Sequence, residues 1–147
     1  MTAVCFSVSV DGVVEEINIY YTTIKTFDAK VVSIPNGTVS GSAIVNNFTS
    51  DTRRVDLTFS AAYSSDIDLV KRVLIETALS NPRVLKDPEP KAVLSEHADS
   101  ALKFTLRVWV KVPDYLDVQF ELKESVKKAF DAAGIEIPFP QIDVHNR

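Results

Sequence analysis

The sequence predicts a small β domain followed by an α/β domain. Three observations carry that reading. Residues 1–46 hold short runs with a two-residue apolar period, divided by turn residues. Residues 53–137 mix that period with the helical one, in the order β-α-β-β-α-β of a split βαβ arrangement. Residues 47–52 read as a linker, and residues 138–147, opened by two prolines, read as a separate tail.

The first domain is built of strands and turns. Val4, Phe6, Val8 and Val10 alternate with Cys5, Ser7 and Ser9 as in a half-buried strand. Asp11-Gly12 is a hairpin turn signal. Ile17, Ile19 and Tyr21 alternate through the next strand, rich in β-branched and aromatic residues. Phe27-Asp28-Ala29 marks a turn, Lys30 to Ile34 a third strand, and Pro35-Asn36-Gly37 its end. Ala43 to Val45 is a short last strand. Short strands and turns without a helix predict a small barrel.

In the second domain Val55, Leu57, Phe59 and Ala61 share one strand face, with Asp56, Thr58 and Ser60 on the other. Ser65 with Asp68 fits a capping box. The helix behind it runs to about Leu79 and buries Ile67, Val70, Leu74 and Ala78. Asn81-Pro82 ends it, because the residue before proline avoids helical backbone. Asp87-Pro88-Glu89-Pro90 is an extended link, and Ala92 to about Glu96 a strand. Leu102, Phe104, Leu106, Val108 and Val110 alternate without a miss, the clearest strand in the chain. Asp114 with Asp117 is a second capping box, ahead of a helix presenting Val118, Leu122, Val126, Phe130 and Ala133. Gly134 then supplies the positive φ of a helix stop. Ile135 and Ile137 alternate with Glu136 as a strand begins. Pro138 and Pro140, lacking amide donors, keep the chain from continuing as a central strand.

Composition narrows the function. Lys and Arg number 16 against 20 Asp and Glu, a formal charge of −4, which argues against a dedicated nucleic-acid binder. A lone cysteine, Cys5, cannot form an internal disulfide and fits a reducing compartment. Asn36-Gly37-Thr38 and Asn47-Phe48-Thr49 match glycosylation sequons, read as chance in a chain with no secretion signal. No apolar run approaches the roughly 20 residues that span a bilayer.

Catalytic and metal chemistry find little support. His97 and His145 are isolated, outside any ligand spacing. Gly37 and Gly41 lack the Lys-Ser/Thr of a phosphate loop, and no serine sits in a Gly-x-Ser-x-Gly elbow. Asp66 and Asp68 stand at a helix start, where carboxylates complement the dipole. The expectation is no enzyme, no cofactor and no metal.

Three features ask for more than a solvated surface. Trp109 falls on the Lys103, Thr105 and Arg107 face of its strand, a position for an aromatic covered either by a loop or by another subunit. Arg53-Arg54 places adjacent cations at a domain junction, read from the residues as a solvated strand start. The tail alternates Ile142 and Val144 with Gln141, Asp143 and His145, a frayed end in a lone domain and a strand if other chains pair with it.

Four blocks carry a resemblance. They are Ile34-Pro35-Asn36-Gly37; Arg53-Arg54 through Tyr63 with Asp66-Ile67-Asp68; Pro82 through Pro88; and Phe130 through His145. In this order, over about residues 11 to 145, they resemble the small-conductance mechanosensitive channel (MscS) family. The resemblance implies a Sm-like β domain, its first strand missing or replaced, and a ferredoxin-like α/β domain. It implies the cytoplasmic part of a channel whose membrane helices precede the matched region. That part is a homoheptameric vestibule that scaffolds the pore and filters ions and osmolytes in hypo-osmotic shock. It implies Trp109 at a subunit interface, Arg53 and Arg54 near the openings between subunits, and Ile142 and Val144 in a closed barrel of tails. The implied partner is the chain itself, with no nucleic acid, and the membrane is reached only through helices this sequence does not contain. Two other classes stay open on the residues alone. A ferredoxin-like pattern also suits a regulatory module binding small molecules between subunits. An RNA-binding module would need exposed aromatics in a Lys/Arg-Gly-Phe/Tyr motif, which this sequence lacks.

Overall fold

The computed structural model describes residues 3–6, 10–46 and 50–140. The chain divides into two compact units, Met1–Asp51 and Thr52–Arg147. The first is a β unit and the second an α/β unit.

The β unit holds β1 (Ala3–Phe6), β2 (Val10–Ile17), β3 (Tyr21–Thr26), β4 (Val31–Pro35) and β5 (Ile44–Asn46). They form one antiparallel sheet in the order β4-β3-β2-β1-β5. Ile24 and Ile34 are its buried centre, with Val10, Val14, Val32 and Val39 packed against them.

Asp11-Gly12 is not a turn. Both residues lie inside β2, paired with β1 on one side, and Gly12 also faces Thr26 of β3. Glycine is needed there because β3 comes close. A Cβ would stand 2.4 Å from the Lys25 carbonyl oxygen and 2.6 Å from Ile24 Cγ2. The strand expected through Ile17, Ile19 and Tyr21 breaks at Asn18. Its side-chain oxygen accepts from the Tyr21 amide at 2.9 Å and its own amide donates to the Tyr21 carbonyl, closing a hairpin. The unit also has a helix, α1 (Asn36–Ser40), where only a stop was expected. Asn36 anchors it, its side-chain Nδ2 donating to the carbonyls of Asn18 and Ile19 and its side-chain oxygen accepting from the Thr22 hydroxyl.

The α/β unit holds β6 (Thr52–Ala61), α2 (Ile67–Ser80), β7 (Lys91–His97), β8 (Leu102–Lys111) and α3 (Tyr115–Ala133), the last entered through a 3₁₀ turn at Val112–Asp114. The sheet order is β6-β8-β7, all antiparallel. β8 sits in the middle, which explains its unbroken alternation: every second residue from Leu102 to Val110 is buried. Val55, Leu57 and Ala61 of β6, Val70, Leu74 and Ala78 of α2, and Val118, Leu122, Val126 and Phe130 of α3 complete one core. Each of the valine, leucine and phenylalanine side chains contributes roughly 1.5–3 kcal/mol on burial.

β7 carries a bulge. Leu94 faces Phe104, but the next paired residue is Glu96, facing Lys103, so Ser95 is the extra residue.

The helix ends depart from the expected caps. Asp66, not Ser65, caps α2, accepting from the amides of Asp68 and Leu69 at 2.8 and 3.1 Å. Asp114 makes no cap hydrogen bond, because the 3₁₀ turn gives it helical backbone at the cap position. Ile67 and Ala133 are exposed, Ile67 as the first residue of α2 and Ala133 as the last of α3. Gly134 has φ +69°, and the Ile135 amide returns to the Phe130 carbonyl at 2.9 Å, as a left-handed stop requires.

Among the described residues, the final strand expected from Ile135 does not form. Ile135 is buried and Glu136 accepts one hydrogen bond from the Ala62 amide at 2.9 Å, just past β6. Pro138 and Pro140 cannot donate the next ones. The α/β unit therefore shows β-α-β-β-α among the described residues.

Candidate functional site

The α/β sheet covers one side with α2 and α3 and exposes the other. Strand alternation places Arg54, Asp56 and Thr58 of β6 on the exposed side, level with Trp109, Arg107 and Thr105 of β8. β7 adds Lys91 and Val93 beside Arg107 and Thr105, and the bulge turns Glu96 toward Lys103. Cations dominate this face in a chain of net charge −4: Arg54, Lys91, Lys103, Arg107 and Lys111, against Asp56 and Glu96.

The structure separates the two arginines that the sequence puts together. Arg54 lies on the exposed face and grips Asp56, with Nε and Nη2 donating to its two carboxylate oxygens at 2.7 and 2.9 Å. That bidentate hold raises the guanidinium pKa, through the hydrogen bonds first and the Asp56 charge second. Arg53 points to the helix side, its guanidinium 3.7 Å from the centroid of the Tyr115 ring at the start of α3. One arginine is exposed and paired with Asp56, and the other braces α3.

Trp109 is half-buried. Its carbonyl accepts from the Leu85 amide at 2.8 Å, and Val84 bridges Val110, so the segment after α2 extends the sheet where β7 has ended. Arg83 holds that segment to α3. Its guanidinium meets Asp117 at 3.2 Å, Asp114 at 4.0 Å and the Glu121 carboxylate, which also accepts from Asn81 at 2.9 Å. Sequence reading missed this cluster and the Arg53–Tyr115 contact, because their partners lie 31 to 62 positions apart with no spacing rule to join them. The one available signal was the acidic stripe Asp114, Asp117 and Glu121 on one helix face.

His97 rests near the Tyr63 ring, centroids 6.4 Å apart, while the Tyr63 hydroxyl donates to the Ala98 carbonyl at 2.6 Å. Among the described residues no group of His, Cys, Asp or Glu is arranged to hold a metal ion. His145, Ile142 and Val144 lie outside the described residues, as does the rest of the tail after Pro140. In the β unit an open hollow of about 460 Å³ is lined by Val13, Val14, Glu15, Lys25, Thr26 and Phe27. The Glu15–Lys25 ion pair at 3.5 Å neutralises its charged lining. At the β3–β4 turn, Asp28 is held by Lys30 at 2.5 Å and by the Thr26 hydroxyl. Those two contacts, Lys30 foremost, put its carboxyl below the usual 3.8. No helix among the described residues is long and apolar enough to cross a membrane.

Comparison with known proteins follows the same division into two units. The family model described as "Mechanosensitive ion channel, beta-domain" matches residues 4–48, and "Mechanosensitive ion channel MscS, C-terminal" matches residues 55–137. The first starts ahead of residue 11, where the sequence resemblance began. The small-conductance mechanosensitive channel of Edwardsiella ictaluri is 43% identical over 136 residues, covering 92% of this chain and 48% of its own length. An MscS family protein of Synechocystis is 40% identical over 136 residues, covering 92% and 46%. The chain thus spans about half the length of these relatives. The crystal structure of Helicobacter pylori MscS in its closed state superposes with a TM-score of 0.93 at 31% identity, over 99% of this chain and 58% of that one. The C-terminal model alone matches more than half of the residues, so the chain belongs to the MscS family of mechanosensitive ion channels.

Proposed function

We propose that this chain forms the cytoplasmic vestibule of a tension-gated channel, scaffolding a ring of identical subunits and filtering ions and osmolytes during hypo-osmotic shock. The observation that carries the reading is the pair of family models, each falling on one of the two units and in channel order. The 43% identity to a small-conductance mechanosensitive channel, over 92% of the chain, supports it. The part of the channel outside this sequence would supply the pore, and these two units would perform no covalent chemistry.

Roles for single residues follow from their placement. Trp109, half-buried on an exposed face, would be covered by a neighbouring subunit. Ile142 and Val144 would line the inside of a barrel of tails, where each added strand removes an exposed edge. Of the two arginines proposed for the openings between subunits, Arg54 keeps that role. Arg53 is engaged with Tyr115 and serves the fold. We read the β unit as Sm-like, with β4 and β5 as the end strands of its five-stranded order. The homo-oligomer is the sole proposed partner, without nucleic acid, and the site of action is the cytoplasmic face of the membrane.

The mass of the particle in solution tests the reading. A single species near seven times 16.3 kDa is expected. A species that stays monomeric at high concentration removes the scaffolding role.

A further inference from the structure

Lys91 and Arg107 face each other directly across β7 and β8 on the exposed side of the sheet. Like charges in that position oppose strand pairing. A carboxylate between them would remove the conflict, and two acids share the face, but both are committed elsewhere. Asp56 stands opposite Arg107 on the other flank, yet both its oxygens are taken by Arg54 at 2.7 and 2.9 Å. Glu96 is bonded to Lys103 at 2.9 Å. Among the described residues neither Lys91 nor Arg107 meets a carboxylate within ion-pair reach. The result is an ammonium and a guanidinium side by side, with the hydroxyls of Thr58 and Thr105 in the next row and the Trp109 ring in the row beyond Arg107.

We propose that Lys91 and Arg107 form a binding site for a small oxyanion, a carboxylate or phosphate group carried by a solute. The guanidinium offers a planar fork suited to two oxygens of one such group, and the ammonium adds a point charge and further donors. The threonine hydroxyls can donate to its remaining oxygens. Bound there, the anion supplies the charge that Asp56 and Glu96 do not. All of its donors belong to one α/β unit, so the isolated chain carries the complete site.

Two measurements on the full chain test it. The first is the thermal midpoint at constant ionic strength as chloride is replaced by inorganic phosphate or by succinate. A ligand present at several times its dissociation constant stabilises the fold that binds it, and a rise of roughly 2–4 °C is expected for a domain of this size. General salting effects act on every variant alike. The response should therefore vanish in the Lys91→Gln/Arg107→Gln double variant and persist in Arg72→Gln, a cation of α2 on the covered side. The double variant should also melt no lower than the parent in chloride, since it loses only a repulsion. The second is the emission of Trp109, the chain's one tryptophan, which should change over the same concentration range. Phosphate and succinate acting alike define an oxyanion site, and phosphate alone narrows it to phosphate esters. The proposal is overturned if the double variant keeps the response, if Arg72→Gln loses it equally, or if Trp109 emission is unmoved while the midpoint rises. Particle mass is read separately, so a missing ring and an inert face give different results.

Discussion

Arg53 and Arg54 are neighbours in sequence and lie on opposite sides of one sheet. The Arg53 guanidinium stacks 3.7 Å from the Tyr115 ring on the helix side, while Arg54 clasps Asp56 on the exposed side. The two should respond differently to the same change. Arg53→Gln is expected to cost the α/β unit about 0.5–1 kcal/mol or more, since its ring contact is partly sheltered. Arg54→Gln should cost less than about 1 kcal/mol, as exposed ion pairs do, and its effect should fade as salt is added. Urea unfolding at low and high salt separates them; equal costs with equal salt dependence would contradict the assignment.

Trp109→Ala should weaken assembly by about 2 kcal/mol or more while the isolated chain stays folded, if the ring is covered by a neighbouring subunit. Sedimentation across a concentration series reads the first effect and circular dichroism the second. Unchanged assembly rules out the interface role, and a chain that unfolds assigns Trp109 to the unit's own packing.

Asp66→Ala should cost about 1 kcal/mol, because the Asp68 and Leu69 amides lose their acceptor at the start of α2. Ser65→Ala should be close to neutral. Melting curves of the two variants decide which residue caps the helix.

Gly12→Ala should destabilise the β unit by roughly 1–3 kcal/mol, since the new methyl meets the Lys25 carbonyl and the Ile24 side chain. The α/β core does not depend on Gly12, so hydrogen exchange should report the loss in β2 and β3 and leave β8 protected. Uniform loss across both units would contradict the close-approach argument.

Asp28 should titrate below its ordinary value, because Lys30 and then Thr26 favour the ionised form. A folded-state pKa depressed in this way gives stability that is complete above the unfolded value. It is lost as pH falls through the lowered one, below about pH 4. Carboxyl carbon shifts followed against pH should show it, and Lys30→Gln should bring the titration back up.

Much of this architecture was legible because its signals are local. β8 is central and covered on one side only, so its period reads directly from Leu102 to Val110. Val118, Leu122, Val126 and Phe130 mark the buried stripe of α3 for the same reason. The failures share a cause too: the deciding partner was remote in sequence. Asp11-Gly12 has the composition of a turn, and only the approach of Lys25 shows why a glycine stands within a strand. Asn36 ends a strand, yet its contacts with Asn18, Ile19 and Thr22 make it the start of a helix. At the exposed face, Trp109 was visible as an aromatic out of phase with its neighbours. The opposition of Lys91 and Arg107 was not, because it depends on a register that passes through the bulge of β7.

That bulge sets the parity of a whole strand end. Ser95 is the residue by which β7 gains one step on β8, and everything after it changes sides. Glu96 reaches Lys103 and His97 falls opposite Leu102 only because the count is shifted by one. Were Ser95 paired in regular register, it would face Lys103 and Glu96 would face Leu102, a carboxylate turned toward the apolar layer; removing Ser95 instead leaves Glu96 on Lys103 and His97 on Leu102. Deletion of Ser95 itself should therefore be mild, whereas deletion of Leu94 should be severe, since it brings Ser95 opposite Phe104 in the apolar layer. The distinction is set by odd and even counting rather than by side-chain chemistry.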